Sequence, residues 1–338
     1  YLCRYLAAAR VHVDLYHFNQ SDYPIEELGF FSSEEKAYIH PFVVPFKRSI
    51  SFPGHYLYDS YRYSKEVARL VFANSQKYDF IYTKGFTGWY LLAHKERSSR
   101  RLPPVGLNFH GYEMFQRAPG LKTLLQYHVL LRLPVKKFNR KADVVFSYGG
   151  KITPIIRSLG VAQEKIIELP SGVEERTVAQ GIMPTSDITR FVFLGRYERR
   201  KGIEEYNVAI SSLPPAVREK AEFHFIGPVP FEKQIAGGRY HGEIRDSEKI
   251  TRLLRGCDIL VCPSWSEGMP NVILEAMAQG LAVISTDVGA TSMLVQEDTG
   301  WLLSACEPDL ISAALIQAAS SSREAINEKK HRALRRIE

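Results

Sequence analysis

Cysteine is scarce in this 338-residue chain: Cys3, Cys257, Cys262 and Cys306 are scattered, and no Cys-x-x-Cys pair occurs. That pattern excludes a disulfide framework and argues against a thiolate metal site, leaving core thiols and a reducing, cytoplasmic compartment as the expectation. No Gly-x-Gly-x-x-Gly opens a strand–helix unit, which argues against a nicotinamide-dependent oxidoreductase. No Asp-x-Asp motif is present, and neither a metal nor another cofactor is expected. No apolar run approaches the length of a membrane span, and no internal repeat or low-complexity segment appears. The chain also lacks an initiator Met and opens on a helix-like segment, Tyr1 to Arg10, where a doubly wound domain would place a strand and loop first. A missing first strand and the loop after it are therefore expected, and the absence of a targeting signal excludes little.

What is present is globular. Hydrophobic residues make up 45%, and the length allows two domains, each with its own core. The net charge of +7 is uneven: residues 1–172 carry an excess of ten positive charges, the remainder an excess of three negative ones. No nucleic-acid motif accompanies the basic half, so nucleic acid is not expected. Its densest part, Leu121 to Lys141, interleaves Lys122, Arg132, Lys136, Lys137, Arg140 and Lys141 with Leu, Val and Phe. Peripheral contact with an anionic membrane, at its inner face, is one reading. An amphipathic helix with a solvated polar face is the preferred one.

The organising stretch is Asp258 to Thr286. A buried strand to Pro263 leads into the loop Ser264-Trp265-Ser266-Glu267-Gly268-Met269. Pro270 suits a first helical turn, Asn271 to Gln279 has helical spacing, and Gly280 ends the helix before a second buried strand. The helix N-terminus faces the loop and favours phosphate. Glu267 and Glu275, eight positions apart, are acceptor-only groups suited to pairs of sugar hydroxyls. A solvated Glu267 and a Glu275 serving only its helix fit the spacing equally well.

The run Glu267-Gly268-Met269-Pro270-Asn271 through Glu275-Ala276-Met277 to Gly280 resembles the E-x7-E signature of retaining GT-B glycosyltransferases, family 4. The resemblance implies an α/β GT-B fold, with two doubly wound Rossmann-like domains facing a central cleft. The acceptor-side domain is expected over residues 1–173 and the nucleotide-sugar domain over 174–338, with a hinge at Pro170 to Pro184. It implies that Glu267 contacts the donor sugar, Glu275 the ribose, and amides near Gly268 and Met269 the sugar or phosphates.

Other passages carry the same resemblance. His110, at the end of a strand Pro104 to Phe109, matches the strand-end His that contacts the transferred sugar; by itself a strand-end His is more often structural. Glu113 is read as a surface carboxylate. Gly195-Arg196 and Lys201-Gly202 resemble the pyrophosphate-gripping pair, with Arg199 and Arg200 read as solvated. Two strand ends, at Gly227 and around Tyr240 to Ile244, would frame the nucleobase. Tyr148-Gly149-Gly150 departs from the pattern, as do Ala290 and Met293, where a Gly and a Glu are commoner.

The implied reaction moves a sugar from a UDP-, GDP- or ADP-sugar to a hydroxyl of a glycan or lipid-linked acceptor, with retention and without metal. His110, Glu267, Arg196 and Lys201 would act at the reacting centre. Gly195, Gly227, Ile244, Gly268, Met269, Pro270, Asn271 and Glu275 would bind the donor. The alternatives are a GT-B partner subunit without turnover, and a GT-B phosphorylase or epimerase.

Overall fold

The hydrophobic pattern of the chain alternates short runs of β-branched and aromatic residues with helical spacing, and that pattern produces parallel strands joined by helices. The computed structural model describes residues 2–18, 31–50, 54–95 and 102–338. The chain divides into two compact units, Tyr1–Asn108 with Lys137–Val144, and Phe109–Lys136 with Val145–Glu338.

In the first unit, β1 (Val13–His17) pairs in parallel with β2 (Ile39–Val43), and β3 (Ile81–Lys84) with β4 (Val105–Asn108). Residues 20–60, rich in Pro, aromatic and mixed-charge positions, read as irregular with a helix near Ser32 to Tyr38. A short helix Ser33–Lys36 and irregular chain over 44–50 are found there, β2 replaces irregular chain between them, and residues 20–30 and 51–53 lie outside the described residues. The helical pattern of Ser60 to Ser75 is part of a helix that begins five residues earlier, at His55, because Gly54 (φ 88°) supplies a left-handed entry. Asp143 ties this unit together: its amide donates to Val105 O, and its carboxylate accepts from the Val105 amide at 2.7 Å and from Lys95.

The second unit contains β5 (Val144–Ser147), all but its first residue, paired with β6 (Ile166–Glu168). It also holds a six-stranded parallel sheet built from β7 (Thr189–Leu194), β8 (Ala221–Ile226), β9 (Gly238–Tyr240), β10 (Ile259–Cys262), β11 (Ala282–Thr286) and β12 (Gly300–Leu303). The order is β12-β11-β10-β7-β8-β9. Period-2 alternation sorts the side chains onto two faces. Phe191, Phe193, Ile259 and Val261 pack with helices Ile203–Ser211 and Pro308–Ala319 on one face. Val192, Leu260 and Cys262 pack with helix Asn271–Ala278 and with Ala333 of helix Arg323–Ile337 on the other. Burial pushes the Cys257 thiol up to about 12 and raises those of Cys262 and Cys306, as core thiols require.

Three local readings change. The expected strand around Tyr240 to Ile244 is β9, two residues earlier, and residues 241–246 run as irregular chain. Pro270 is the N-cap (φ −73°, ψ 111°) and Asn271 the first helical residue. Residues 309–338, whose spacing predicts helix throughout, form two helices, interrupted where the Ser322 hydroxyl accepts from the Ala325 amide and starts the second. The run Leu121–Lys141 is helical throughout, with a π turn at Tyr127–Leu131, but large apolar side chains stand exposed along its outer face.

Candidate active site

Chain order places the functional crevice before any side chain is considered. From β7 the sheet winds one way to β8 and β9, and from β10 the other way to β11 and β12. The carboxyl ends of β7 and β10 are thus the switch point where open α/β sheets bind ligands. Gly195-Arg196 follows β7, and Pro263 to Met269 follows β10. The two turns nearly touch: a Cβ on Gly202, whose φ is +69°, would fall 1.9 Å from Pro263 O. Glycine is required there on both counts.

Next to this point lies a pocket of about 360 Å³, lined by Leu194, Gly195, Arg196, Ile226, Gly227, Pro228, Glu243, Ile244 and Ile250. Four of these, Gly195, Arg196, Gly227 and Ile244, are donor residues expected from the sequence. Gly227 is held close to Gly195, where a Cβ would fall 1.9 Å from Gly195 O. Tyr240 does not line the pocket; it stacks on Phe225 at 4.6 Å, and its hydroxyl accepts from the Ile235 amide.

The cations after β7 divide sharply. Arg196 is 72% exposed and pairs with Glu198 at 2.8 Å. Lys201 is nearly enclosed and donates to Glu267 Oε1 at 2.6 Å. The same oxygen accepts from Ser264 Oγ at 2.9 Å and lies 3.6 Å from Arg200. Lys201 and Glu267, assigned separately to diphosphate and sugar, are therefore one buried ion pair. Arg199 and Arg200 are not the solvated pair expected: Arg199 bonds Glu205 and lies over the Trp265 ring, and Arg200 also pairs with Glu198.

The Glu267 loop is pressed against the start of this unit. A Cβ on Gly268 would fall 1.5 Å from His110 O, so only glycine fits. Gln116 Nε2 donates to Glu267 O at 2.7 Å, and Gly289 (φ +56°) lies close beneath the same loop. His110 Nδ1 is 3.0 Å from Tyr148 Oη, the two rings nearly parallel. Tyr148 itself is buried with Met269, Ile273 and Ala290. The departures from the family pattern thus meet one another: a Cβ on Gly149 would strike Met293 Sδ, and one on Gly150 would strike Ala290. Small residues on one loop accommodate the substitutions on the other.

Glu113, read as a surface carboxylate, is partly buried. Burial raises its pKa, Arg200 and Lys201 counter the rise, and the charge of Glu267 adds to it. Glu275 is exposed by area, yet the surrounding protein desolvates its carboxyl enough to raise its pKa. Met269 turns its side chain into the core, with Sδ 3.2 Å from the Ser171 amide, so only its backbone is available to a ligand. Asn271 is exposed at the helix start. Sequence reasoning missed Ser264, Arg200, Gln116 and Tyr148. Ser264 and Arg200 stand beside named residues, whereas nothing in linear spacing points to Gln116. Among the described residues no three His, Cys, Asp or Glu side chains gather as a metal ligand set.

Comparison with known proteins agrees with this geometry. Residues 1–176 match the family described as Glycosyltransferase Family 4, and residues 188–321 that described as Glycosyl transferases group 1. The chain is 40% identical over 103 residues to the putative teichuronic acid biosynthesis glycosyltransferase TuaC of Bacillus subtilis (strain 168), covering 30% of this chain and 26% of that one. It is 30% identical over 165 residues to the phosphatidyl-myo-inositol mannosyltransferase of Mycobacterium tuberculosis (strain CDC 1551 / Oshkosh), covering 44% and 42%. The chain thus spans less than half the length of these curated relatives. Among solved structures, sucrose-phosphate synthase from Thermosynechococcus elongatus superposes with a TM-score of 0.76 at 18% identity, over 99% of this chain and 86% of that one. Anabaena HepE in complex with UDP and glucose gives 0.67 at 17% identity, over 100% and 91%. These likenesses identify the fold as GT-B.

Proposed function

Since this chain belongs to glycosyltransferase family 4, we propose that it transfers a hexose from a nucleoside-diphosphate sugar to a hydroxyl of a glycan or lipid-linked acceptor. The observation that carries the reading is the Lys201–Glu267 pair at the switch point, beside an apolar pocket sized for a base. Teichuronic acid biosynthesis and phosphatidyl-myo-inositol in the names of relatives support a glycan or lipid acceptor, and the UDP and glucose bound by HepE support the donor class.

In this reading the base occupies the pocket at Ile226 and Ile244, and the diphosphate lies across Gly195 to Arg196. As the bond from C1 to the diphosphate breaks, negative charge develops on the leaving oxygen. Lys201 from its enclosed position, Arg196 from the solvent side and the amides at the start of helix Asn271–Ala278 stabilise it. Lys201 is then shared between the diphosphate and Glu267. That carboxylate, still held by Ser264, accepts from sugar hydroxyls and orients the anomeric carbon. His110 faces the same loop, with Nδ1 committed to Tyr148. The acceptor oxygen attacks on the face from which the diphosphate leaves, so configuration is retained, and its proton passes to a diphosphate oxygen. No protein nucleophile and no metal take part.

Calorimetric titration with UDP, GDP and ADP without metal tests the pocket. One nucleotide is expected to bind selectively and to bind about tenfold or more weakly to Arg196→Ala. Binding of none overturns the donor assignment. Binding without transfer to any glycan or lipid acceptor makes the chain a donor-binding subunit. Sugar phosphate released from donor with no acceptor makes it a phosphorylase.

A further inference from the structure

The helical run Leu121–Lys141 is apolar on two faces. Leu131, Val135 and Phe138 are buried inward. Outward, Leu121 is 85% exposed, Leu125 66%, Val129 64% and Leu133 71%. An aliphatic ridge of this kind is the informative exception on a protein surface, where isolated exposed residues are ordinary. These four residues recur every fourth position. In a regular helix each such step advances about 40°, so the stripe would wind off the face. The π turn at Tyr127–Leu131 lies in the middle of the stripe, and its wider i→i+5 turn takes back part of that drift.

Charge on the same stretch has one sign. Between Glu113 and Asp143 there is no acidic residue, and there are seven basic ones. Two of them turn inward: Arg132 donates to Met114 O and lies over the Phe115 ring, and Lys141 reaches Ala93 O. Lys122, Lys137 and Arg140 are exposed.

We infer that this face lies in the plane of an anionic bilayer surface. Leu121, Leu125, Val129 and Leu133 enter the boundary between headgroups and acyl chains, and Lys122, Lys137 and Arg140 meet lipid phosphates. No helix among the described residues is long and apolar enough to cross a membrane, and this one, about 18 Å from Leu121 to Leu133, suits lying flat. A second copy of the chain would bring like charge against like charge. A protein partner would be anchored by aromatic residues or Arg, whereas the ridge is wholly aliphatic. The inference is independent of the transfer reaction.

Flotation of the full chain with vesicles tests it. Binding to phosphatidylcholine containing phosphatidylglycerol should exceed binding to phosphatidylcholine alone by about a hundredfold at low salt, as three cations near an anionic surface imply, and should fall at high salt. Combining Leu121→Gln, Leu125→Gln, Val129→Gln and Leu133→Gln keeps helix propensity. It should abolish flotation at every salt concentration while the circular dichroism is unchanged. Lys122→Gln, Lys137→Gln and Arg140→Gln together should remove the salt dependence and leave the weaker apolar binding. The inference is overturned if the wild-type chain floats with neither vesicle, which would leave an acidic protein as the occupant. It is equally overturned if the four-Gln variant floats like wild type, or if sedimentation finds a wild-type dimer that the four-Gln variant loses.

Discussion

Strand β10 has a buried lysine–carboxylate pair at each end, and the two pairs differ in what surrounds them. Before its first residue, Asp258 meets Lys330 at 2.8 Å. After its last, Glu267 meets Lys201 at 2.6 Å. At the amino end both groups are engaged by further protein partners. Lys330 also donates to Met183 O, and Asp258 also accepts from Thr185 Oγ1 and the Arg190 amide. Both side chains are almost wholly buried. At the carboxyl end the pair borders a crevice, with Arg200 in reach, Arg196 exposed nearby and the start of helix Asn271–Ala278 following the Glu267 loop. Ion-pair length says nothing about role; what distinguishes a site from a rivet is whether the surrounding polar capacity is used up. In a parallel sheet only the carboxyl end receives the helix N-termini and loops that leave capacity over.

The largest effect is expected at the closed end. Lys330→Met should destabilise the fold by about 3–5 kcal/mol, since it leaves Asp258 buried and short of a partner. Urea unfolding would measure this, and nucleotide affinity in the folded fraction should be unchanged. At the open end Glu267→Gln should instead lower transfer by about 10²–10³-fold with a small change in unfolding midpoint. Gln is the sharper substitution than Ala, because it keeps a partner for Lys201 and Ser264. If the two variants exchange phenotypes, the distinction between closed and open ends fails.

A finer test lies one layer out. Tyr148→Phe removes only the hydroxyl at His110 Nδ1. Transfer kcat should fall about tenfold, the equivalent of one lost hydrogen bond, with donor KM nearly unchanged; a shift in KM alone would make Tyr148 a packing residue. The smallest effect concerns Glu113. Its raised pKa means that the folded chain holds a proton the unfolded chain has released, so stability falls as pH rises from the ordinary carboxyl range through the raised value. Above that value the full cost is present. Glu113→Gln should therefore flatten the stability–pH curve over that window and raise the unfolding midpoint slightly at neutral pH, by thermal melts at several pH values.

Much of the second unit was legible because its signals are local. The spacing from Pro263 to Gly280 contains a strand, a loop, a helix start and a helix stop within one stretch, and each depends on neighbours only a turn away. The helical spacing over Ile203 to Ser211 and the strand pattern over Gly300 to Leu303 give a helix and a strand at those residues for the same reason. Irregular segments read less well. The strand Ile39–Val43 contains Pro41 and was masked by mixed composition. The position of β9 depends on pairing with β8, which periodicity does not reveal. Glu113 was set aside because burial is a property of what folds over a residue.

From the chain alone came the alternation of strands and helices, the anion-favouring helix start behind Gly268, and the residue types for gripping a diphosphate and sugar hydroxyls. These follow from backbone geometry and side-chain chemistry acting over a few residues. Only the tertiary structure decided that Lys201 and Glu267 are one pair while Arg196 stands in solvent, and that Tyr148 reaches His110. It also decided that the basic helix turns leucines outward. Each of those depends on which distant segments exclude water from which atoms, and exclusion of water is settled by packing in three dimensions.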